Sequence, residues 1–500
     1  MRIALRVDGS DRIGTGHVVR CLTLADRLAE AGHACHFVMR DHLGAPTGLI
    51  ETRGFPLTLL PRVDGSDTGG LAHSHWLGTS QDRDAMDMLA ALKEPVDWLV
   101  VDHYALDQQW HRALRPSARH ILVIDDIADR IHDCDLLLDQ NLQGAAGRYD
   151  GLVPPACHVM LGPQYALLKP RFASLRDDHT ATEGDGAILL YFGGIDAEGA
   201  TLTALEAVAG AELGHRPIDV VVGDRNPHRA AVADWCAAHS NARFHGGGSD
   251  MAALMANAAL AVGAAGATAW ERCCLGLPTI LVTLAENQKP GAAALAREGA
   301  AIWLGDFPEV SAETLAAALR TLDAAPHLAD VIGRRAAALV DGRGTDRVVR
   351  AMDREPIVLR RAGPDDCDAV WTWRNDERTR RHSLDPAPVP LDDHRRWFSS
   401  SLANTDRALL IGESAGEPVG VLRYDRVADS ATISVYLVPG REGRGEGARL
   451  IRAGSDWLVR NWPDVRAIDA EILEANQASS RAFAAAGFIT HLSLYRRSLP

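Results

Sequence analysis

Ile13-Gly14-Thr15-Gly16-His17 follows an apolar run at residues 3–7 and precedes a helical pattern from Val18. Glycines at a strand-to-helix turn let backbone N–H groups approach a ligand, and the helix start beyond them favours negative charge. An imidazole there can act as a general base near neutral pH. The plain alternative is a structural bend with His17 as an ordinary first-turn residue. A second glycine pair, in Tyr191-Phe192-Gly193-Gly194-Ile195-Asp196, ends an apolar run in a geometry suited to a diphosphate. A third turn, Gly263-Ala264-Ala265-Gly266, sets Glu271 about one turn inside a helix, with Asn287-Gln288 further on. A carboxylate so placed can accept both hydroxyls of a ribose while backbone amides hold phosphate. Near the C-terminus, Glu442-Gly443-Arg444-Gly445-Glu446-Gly447 precedes a helical stretch at 448–459. Its successive N–H groups can cradle a pyrophosphate.

The elements that must position these groups follow a regular alternation. Short apolar runs at 3–7, 35–39, 98–102, 120–125 and 135–138 alternate with helical stretches, as do those at 187–192, 218–222, 260–262, 279–283 and 301–304. Such alternation implies parallel βαβ units and two Rossmann-like domains facing a cleft. The polar segment 171–186 reads as the linker between them, and Glu355-Pro356 interrupts the last helix before a third unit opens at Ile357. The expected domains are 1–175, 176–353 and 357–500.

A chain of 500 residues, 47% hydrophobic and 24% charged, has room for roughly three domains with real cores. The start carries no secretory pattern and no apolar run is long enough to span a membrane, so a cytoplasmic chain without membrane partners is expected. The eight cysteines are scattered without CxxC spacing and read as small apolar residues in a reducing compartment. A net charge of −14 argues against nucleic acid as a partner. No metal is expected: Asp125-Asp126 at a strand end reads as a turn or helix cap. His73, His75 and Trp76 read as loop residues, and His111, His228 and His245 as single structural or surface histidines.

Over residues 1 to about 350 the ordered motifs are Arg6-x-Asp8, Ile13-Gly14-x-Gly16-His17, Arg20-Cys21, Val101-Asp102-x-Tyr104, Asp125-Asp126 and Asp139-Gln140-Asn141. They continue with Gly162-x-x-Tyr165-Ala166-Leu167-Leu168, Phe192-Gly193-Gly194, Glu271, Gly276-x-Pro278 and Asn287-Gln288. Together they resemble the UDP-sugar hydrolases of pseudaminic acid biosynthesis, GT-B-fold relatives of the glycosyltransferase that makes lipid II. That family cleaves UDP-2,4-diacetamido-2,4,6-trideoxy-β-L-altropyranose into UDP and free sugar, with water in place of an acceptor. The resemblance implies His17 as the base that deprotonates the water, and a substrate pocket drawn from Gly14, Gly16, Arg20, Tyr104, Gly193, Gly194, Gly266, Glu271, Asn287 and Gln288. Tyr104 and Asn287 match positions lining the family's sugar pocket.

In the third unit, the glycine loop is followed by an expected strand at 467–473 and by Asn476-x-x-Ser479-Ser480-x-x-Phe483-x-x-x-Gly487-Phe488. This order resembles the GNAT acyl-CoA N-acetyltransferases, an α+β fold. Trp373-Arg374-Asn375 and His394-x-x-Trp397-Phe398 resemble the branch that acetylates the 4-amino group of UDP-amino-sugars, the step before the hydrolysis. The resemblance implies acetyl-CoA as co-substrate, with Arg444, Gly445 and Gly447 at its diphosphate and Asn476, Ser479 and Ser480 at the pantetheine end. Glu471 is the carboxylate expected to serve as base. Two positions depart from the superfamily: Glu442 puts a negative charge near the diphosphate, and Phe483 replaces a frequent general-acid tyrosine and cannot donate a proton.

Two motif sets thus imply adjacent steps on one pathway. The alternative is a GT-B glycosyltransferase joined to a peptide N-acetyltransferase or an inactive binding module. Oligomeric state is not legible.

Overall fold

A computed structural model of the chain describes residues 1–63, 70–142, 147–154, 157–178, 186–353, 357–383, 385–443 and 445–489. These form two compact units, Met1–Met352 and Asp353–Pro500.

The first unit holds two wholly parallel sheets. The strands of one are β1 (Arg2–Val7), β2 (Ala34–Arg40), β3 (Leu57–Leu60), β4 (Val96–Asp102), β5 (Ala118–Ile124), β6 (Leu136–Asp139) and β7 (His158–Leu161), in the order β3-β2-β1-β4-β5-β6-β7. Strand β4 shows why this sheet is buried on both faces: Trp98 and Val100 enter one core, Leu99 and Val101 the other. A period of two with both faces apolar requires helices on each side.

The second sheet comprises β8 (Ala187–Tyr191), β9 (Ile218–Val221), β10 (Ala242–His245), β11 (Ala258–Ala264), β12 (Thr279–Thr283) and β13 (Ile302–Asp306), ordered β10-β9-β8-β11-β12-β13. Both sheets reverse direction of growth once, between β1 and β4 and between β8 and β11. Ligands of such sheets bind beyond the strand C-termini at that crevice.

Ten expected strands of this unit are present, with bounds shifted by at most two residues. Strands β3, β7 and β10, four residues each, escaped the sequence pattern because each is short and only partly apolar.

The boundary between the lobes differs from the expected one. Residues 170–178 form a helix, Pro170–Asp178, whose Phe172 belongs to the second lobe's core, so the chain has already crossed by Leu168. The segment 179–185, the centre of the expected linker, lies outside the described residues, as does Glu355-Pro356. The last helix, Gly344–Met352, returns to the first lobe: Val348, Val349 and Met352 enter its core and Trp98 Nε1 donates to the Met352 carbonyl at 3.1 Å. Expected domain 176–353 therefore loses its final helix to the first lobe.

The second unit is a five-stranded sheet, β14 (Val358–Arg361), β15 (Arg407–Ser414), β16 (Glu417–Val427), β17 (Ser430–Leu437) and β18 (Ala467–Ala470), in sequence order. The first four strands pair antiparallel and β18 joins β17 in parallel. Helix Glu446–Asn461 crosses between them and packs Leu450 onto Gly412 and Gly420, where any β-carbon would collide.

Candidate functional site

The helix Gly16–Glu30 starts at the C-terminal end of β1, and Gly14 takes φ +80°, which favours glycine. Ser10 shapes the turn, its carbonyl accepting Gly14 N–H at 2.9 Å and its Oγ accepting the amides of Arg12 and Ile13. No side chain caps this helix, and the space where a β-carbon would stand at Gly14 and Gly16 is open. His17 in the first turn and Arg20 one turn later both face the end of β4.

There Asp102 joins them. His17 Nδ1 lies 2.6 Å from Asp102 Oδ1, and Arg20 grips the same carboxylate from Nε to Oδ2 at 2.6 Å and from Nη2 to Oδ1 at 2.7 Å. Burial opposes ionisation of Asp102, yet Arg20 and His17 hold its carboxyl well below the usual range. An ionised acceptor at 2.6 Å assigns the proton to Nδ1 and leaves Nε2 as the lone-pair nitrogen.

A second carboxylate ties in the rest. Asp126 Oδ2 accepts from Arg20 Nη1 at 2.6 Å and from the Tyr104 hydroxyl, while Oδ1 accepts Asn141 Nδ2 at 2.7 Å. Tyr104 is buried, its ring 4.8 Å edge-on from that of His17, and burial beside Asp126 raises its phenol well above the ordinary value. Asp139, Arg148 and Tyr149 extend the network: Arg148 bridges Asp139 Oδ2 and the Asp126 carbonyl, and Tyr149 donates to Asp125 and Asp139. Burial pushes the Asp139 carboxyl up to about 6, with Asp126 adding to the shift. Asp125 accepts Ala128 N–H at 2.8 Å, the turn cap expected of it. Its neighbour Asp126 instead joins the cluster around Arg20 and Tyr104.

In the second lobe the expected ligand residues follow three adjacent strands: Gly193-Gly194 after β8, Gly266 and Glu271 after β11, Asn287-Gln288 after β12. Gly193 takes φ +101°, and at Gly193, Gly194 and Gly266 the space where a β-carbon would stand is open, while the Gly194 backbone packs closely on Gly223. The helix after Gly194, Ala200–Gly210, does not offer its amides to an anion: Asp196 already accepts Ala200 and Thr201 N–H at 2.9 Å each. The diphosphate expectation for that helix start is corrected accordingly; a residue's own carboxylate satisfies the orphan donors first. The helix Thr268–Cys274 carries no side-chain cap.

Glu271 is half-buried and its side chain makes no hydrogen bond among the described residues; desolvation pushes its carboxyl up to about 7. Beside it the buried Arg272 clamps the turn, with Nη2 donating to the Ala264 carbonyl at 2.6 Å. Gln288 Oε1 accepts Leu284 N–H at 3.0 Å, so half of its amide holds the loop, whereas Asn287 is exposed.

In the second unit, Gly445 takes φ +74° and caps helix Glu446–Asn461, with Gly447 in its first turn. Arg444 lies outside the described residues. Glu442 Oε2 folds back onto Gly440 N–H at 2.8 Å and is thereby engaged in its own turn. The expected strand 467–473 ends at Ala470, which leaves Glu471 exposed just past β18. Asn476 is buried and its oxygen accepts Ser479 N–H at 3.1 Å, while Ser480 Oγ bonds the Asn476 carbonyl. This trio forms an N-cap, with the Asn476 amide donors left over. Phe483 fills the core beside Phe488, which accounts for the missing hydroxyl there.

Sequence reasoning read Asp126 as a turn or cap residue and Trp76 and His73 as loop residues, carried Asp102 only within a motif, and did not single out Arg148 or Tyr149; all six reach this site. A carboxylate ending a buried strand was the available signal for Asp102. His228 and His245 also have partners, the Ala197 carbonyl and Asp219.

Two doubly wound lobes closed by a returning helix, followed by a sheet with a glycine-capped helix, define a GT-B-type module joined to a GNAT acetyltransferase module. Residues 223–331 match the glycosyltransferase family 28 C-terminal domain and residues 357–489 the acetyltransferase (GNAT) domain. The chain belongs to the family of the spore coat polysaccharide biosynthesis protein SpsG of Bacillus subtilis, with which it shares 30% identity over 351 residues, 70% of this chain and 96% of that one. It is also 24% identical over 300 residues, 60% of this chain and 97% of the relative, to a UDP-2,4-diacetamido-2,4,6-trideoxy-beta-L-altropyranose hydrolase of Campylobacter jejuni. Among solved structures, Acinetobacter baumannii MurG aligns over 70% of this chain and 99% of its own at 18% identity and TM-score 0.48. No helix among the described residues is long and apolar enough to cross a membrane.

Proposed function

We propose that the first unit hydrolyses UDP-2,4-diacetamido-2,4,6-trideoxy-β-L-altropyranose to UDP and the free sugar in a cytoplasmic pseudaminic acid pathway, and that the second acetylates the 4-amino group of the preceding UDP-amino-sugar. The observation that carries the hydrolase half is the Asp102–His17 pair, which engages Nδ1 and leaves the Nε2 lone pair without a partner among the described residues. His17 Nε2 takes a proton from water as the oxygen attacks the anomeric carbon; the bond from that carbon to the diphosphate oxygen breaks and UDP departs. Asp102 stabilises the imidazolium that forms. Glu271 accepts the ribose hydroxyls, and the open backbone at Gly193, Gly194 and Gly266 faces the diphosphate. The relative from Campylobacter jejuni supports this choice of substrate.

In the acetyltransferase half, the amine attacks the thioester carbonyl of acetyl-CoA held at Gly445 and Gly447, and CoA leaves as the thiol. Glu471 is assigned as base through water, and the free Asn476 amide faces the pantetheine. The GNAT match supports acetyl-CoA as co-substrate.

Incubation with acetyl-CoA and UDP-4-amino-4,6-dideoxy-β-L-AltNAc, following CoA and UDP together, tests both halves. Release of both is expected, and CoA without UDP overturns the hydrolase. The glycosyltransferase match favours one second reading, transfer to a sugar or lipid acceptor; a glycoside in place of free sugar among the products would establish it.

A further inference from the structure

The rings of His17, Trp76, His73 and Tyr104 pack together. Trp76, in the short helical turn Ser74–Trp76, stacks on Tyr104 with centroids 5.5 Å apart and planes 26° apart, and its centroid lies 6.0 Å from that of His17. His73 stands edge-on to both, 4.7 Å from Trp76 and 5.3 Å from Tyr104. Core filling does not account for them. The neighbouring Leu77 is buried in the first lobe's core and anchors the segment, while Trp76 and His73 stay half-buried outside it. His73 Nδ1 is itself buried and has no hydrogen-bond partner. A buried polar atom left unpaired costs stability unless something supplies the missing bond.

We propose that Trp76 and His73 form the second wall of the sugar subsite. Trp76 packs on the apolar part of a deoxy, N-acylated hexose, and His73 Nδ1 exchanges a hydrogen bond with one of its acetamido or hydroxyl groups. The wall extends the hydrolase reading and rests on it for the position of the sugar. An aromatic plane beside the reacting carbon also suits the positive charge that develops there as UDP leaves. Desolvation keeps the His73 imidazole less basic than usual, which fits a neutral hydrogen-bonding partner more than a second general base. Selectivity follows from the chemistry. A ring presenting methyl and acetamido groups gains from the wall, and one presenting hydroxyls alone gains less.

Calorimetric titration of UDP and of UDP-2,4-diacetamido-2,4,6-trideoxy-β-L-altropyranose into a His17→Ala background, which blocks turnover, separates the sugar wall from the nucleotide site. Adding Trp76→Ala or His73→Ala is expected to weaken the UDP-sugar about tenfold and to leave UDP within twofold, which also certifies the fold. Trp76→Phe is expected to retain most of the affinity. Equal losses for both ligands, or no loss for the UDP-sugar, overturn the wall. Failure of the wild-type protein to release UDP, with the binding pattern intact, overturns hydrolysis and leaves the wall standing. Binding of neither ligand overturns both.

Discussion

Asp102 Oδ1 lies 2.6 Å from His17 Nδ1 although 85 residues separate them, and Arg20 holds the other edge of the same carboxylate. The contact sets the tautomer that a general base needs. Asp102→Asn keeps the shape but removes the charge that favours the imidazolium. The expected result is a fall of about 10³ in the turnover number for UDP release, with UDP affinity within twofold; His17→Ala should lose at least as much. Stopped or continuous UDP assays on both variants check this, and unimpaired turnover in His17→Ala would contradict the mechanism.

Glu271 supplies a pH dependence whose sign is determined. With its carboxyl pushed up to about 7 by desolvation, the ionised form proposed to accept ribose hydroxyls fades as pH falls through 7. UDP should bind about tenfold more weakly at pH 6 than at pH 8 in the wild type. Glu271→Gln should bind weakly at both pH values and lose that part of the slope. For folding the sign is opposite to that of a salt-bridged carboxylate: the raised group favours the native state at low pH, and this contribution declines as pH rises from about 4.5 to 7.

In the first lobe, Asp84 accepts hydrogen bonds from Arg6 at 2.7 Å, from Arg40 at 2.6 Å and from Trp110 Nε1 at 3.0 Å, all with the side chains buried. Removing the anion takes one carboxylate from each of two buried guanidinium groups, leaving Arg6 with Asp8 and Arg40 with Asp87 and the Pro61 carbonyl. Asp84→Ala is expected to cost about 3–5 kcal/mol in chemical denaturation, far more than a surface ion pair would.

The observed cap at Asn476 and its proposed contact with CoA separate by substitution. Asn476→Asp preserves the cap on Ser479 N–H and removes the amide donors, so melting should hold while CoA affinity falls. Asn476→Ala should lose about 1 kcal/mol of stability as well. Unchanged CoA binding in Asn476→Asp would confine this residue to capping.

The sequence by itself determined the local pieces. Short continuous apolar runs placed ten strands of the first unit, glycine turns marked where backbone must approach closely, and the ordered motifs carried His17, Arg20, Tyr104 and Glu271 to the C-terminal ends of their strands. These are short-range consequences of side-chain periodicity and backbone freedom, readable within a window of residues. The tertiary structure alone decided which of those groups meet. Parallel pairing of β1 with β4 brought Asp102 to His17, the turn after β5 brought Asp126 to Arg20 and Tyr104, and packing at residues 73–77 brought Trp76 onto Tyr104. It also decided which apparent sites were already filled, as Asp196 fills the helix start beyond Gly194 and Asn476 its own cap. Contacts across tens of residues depend on strand order and on the competition of neighbouring donors and acceptors, and neither has a signature in local spacing.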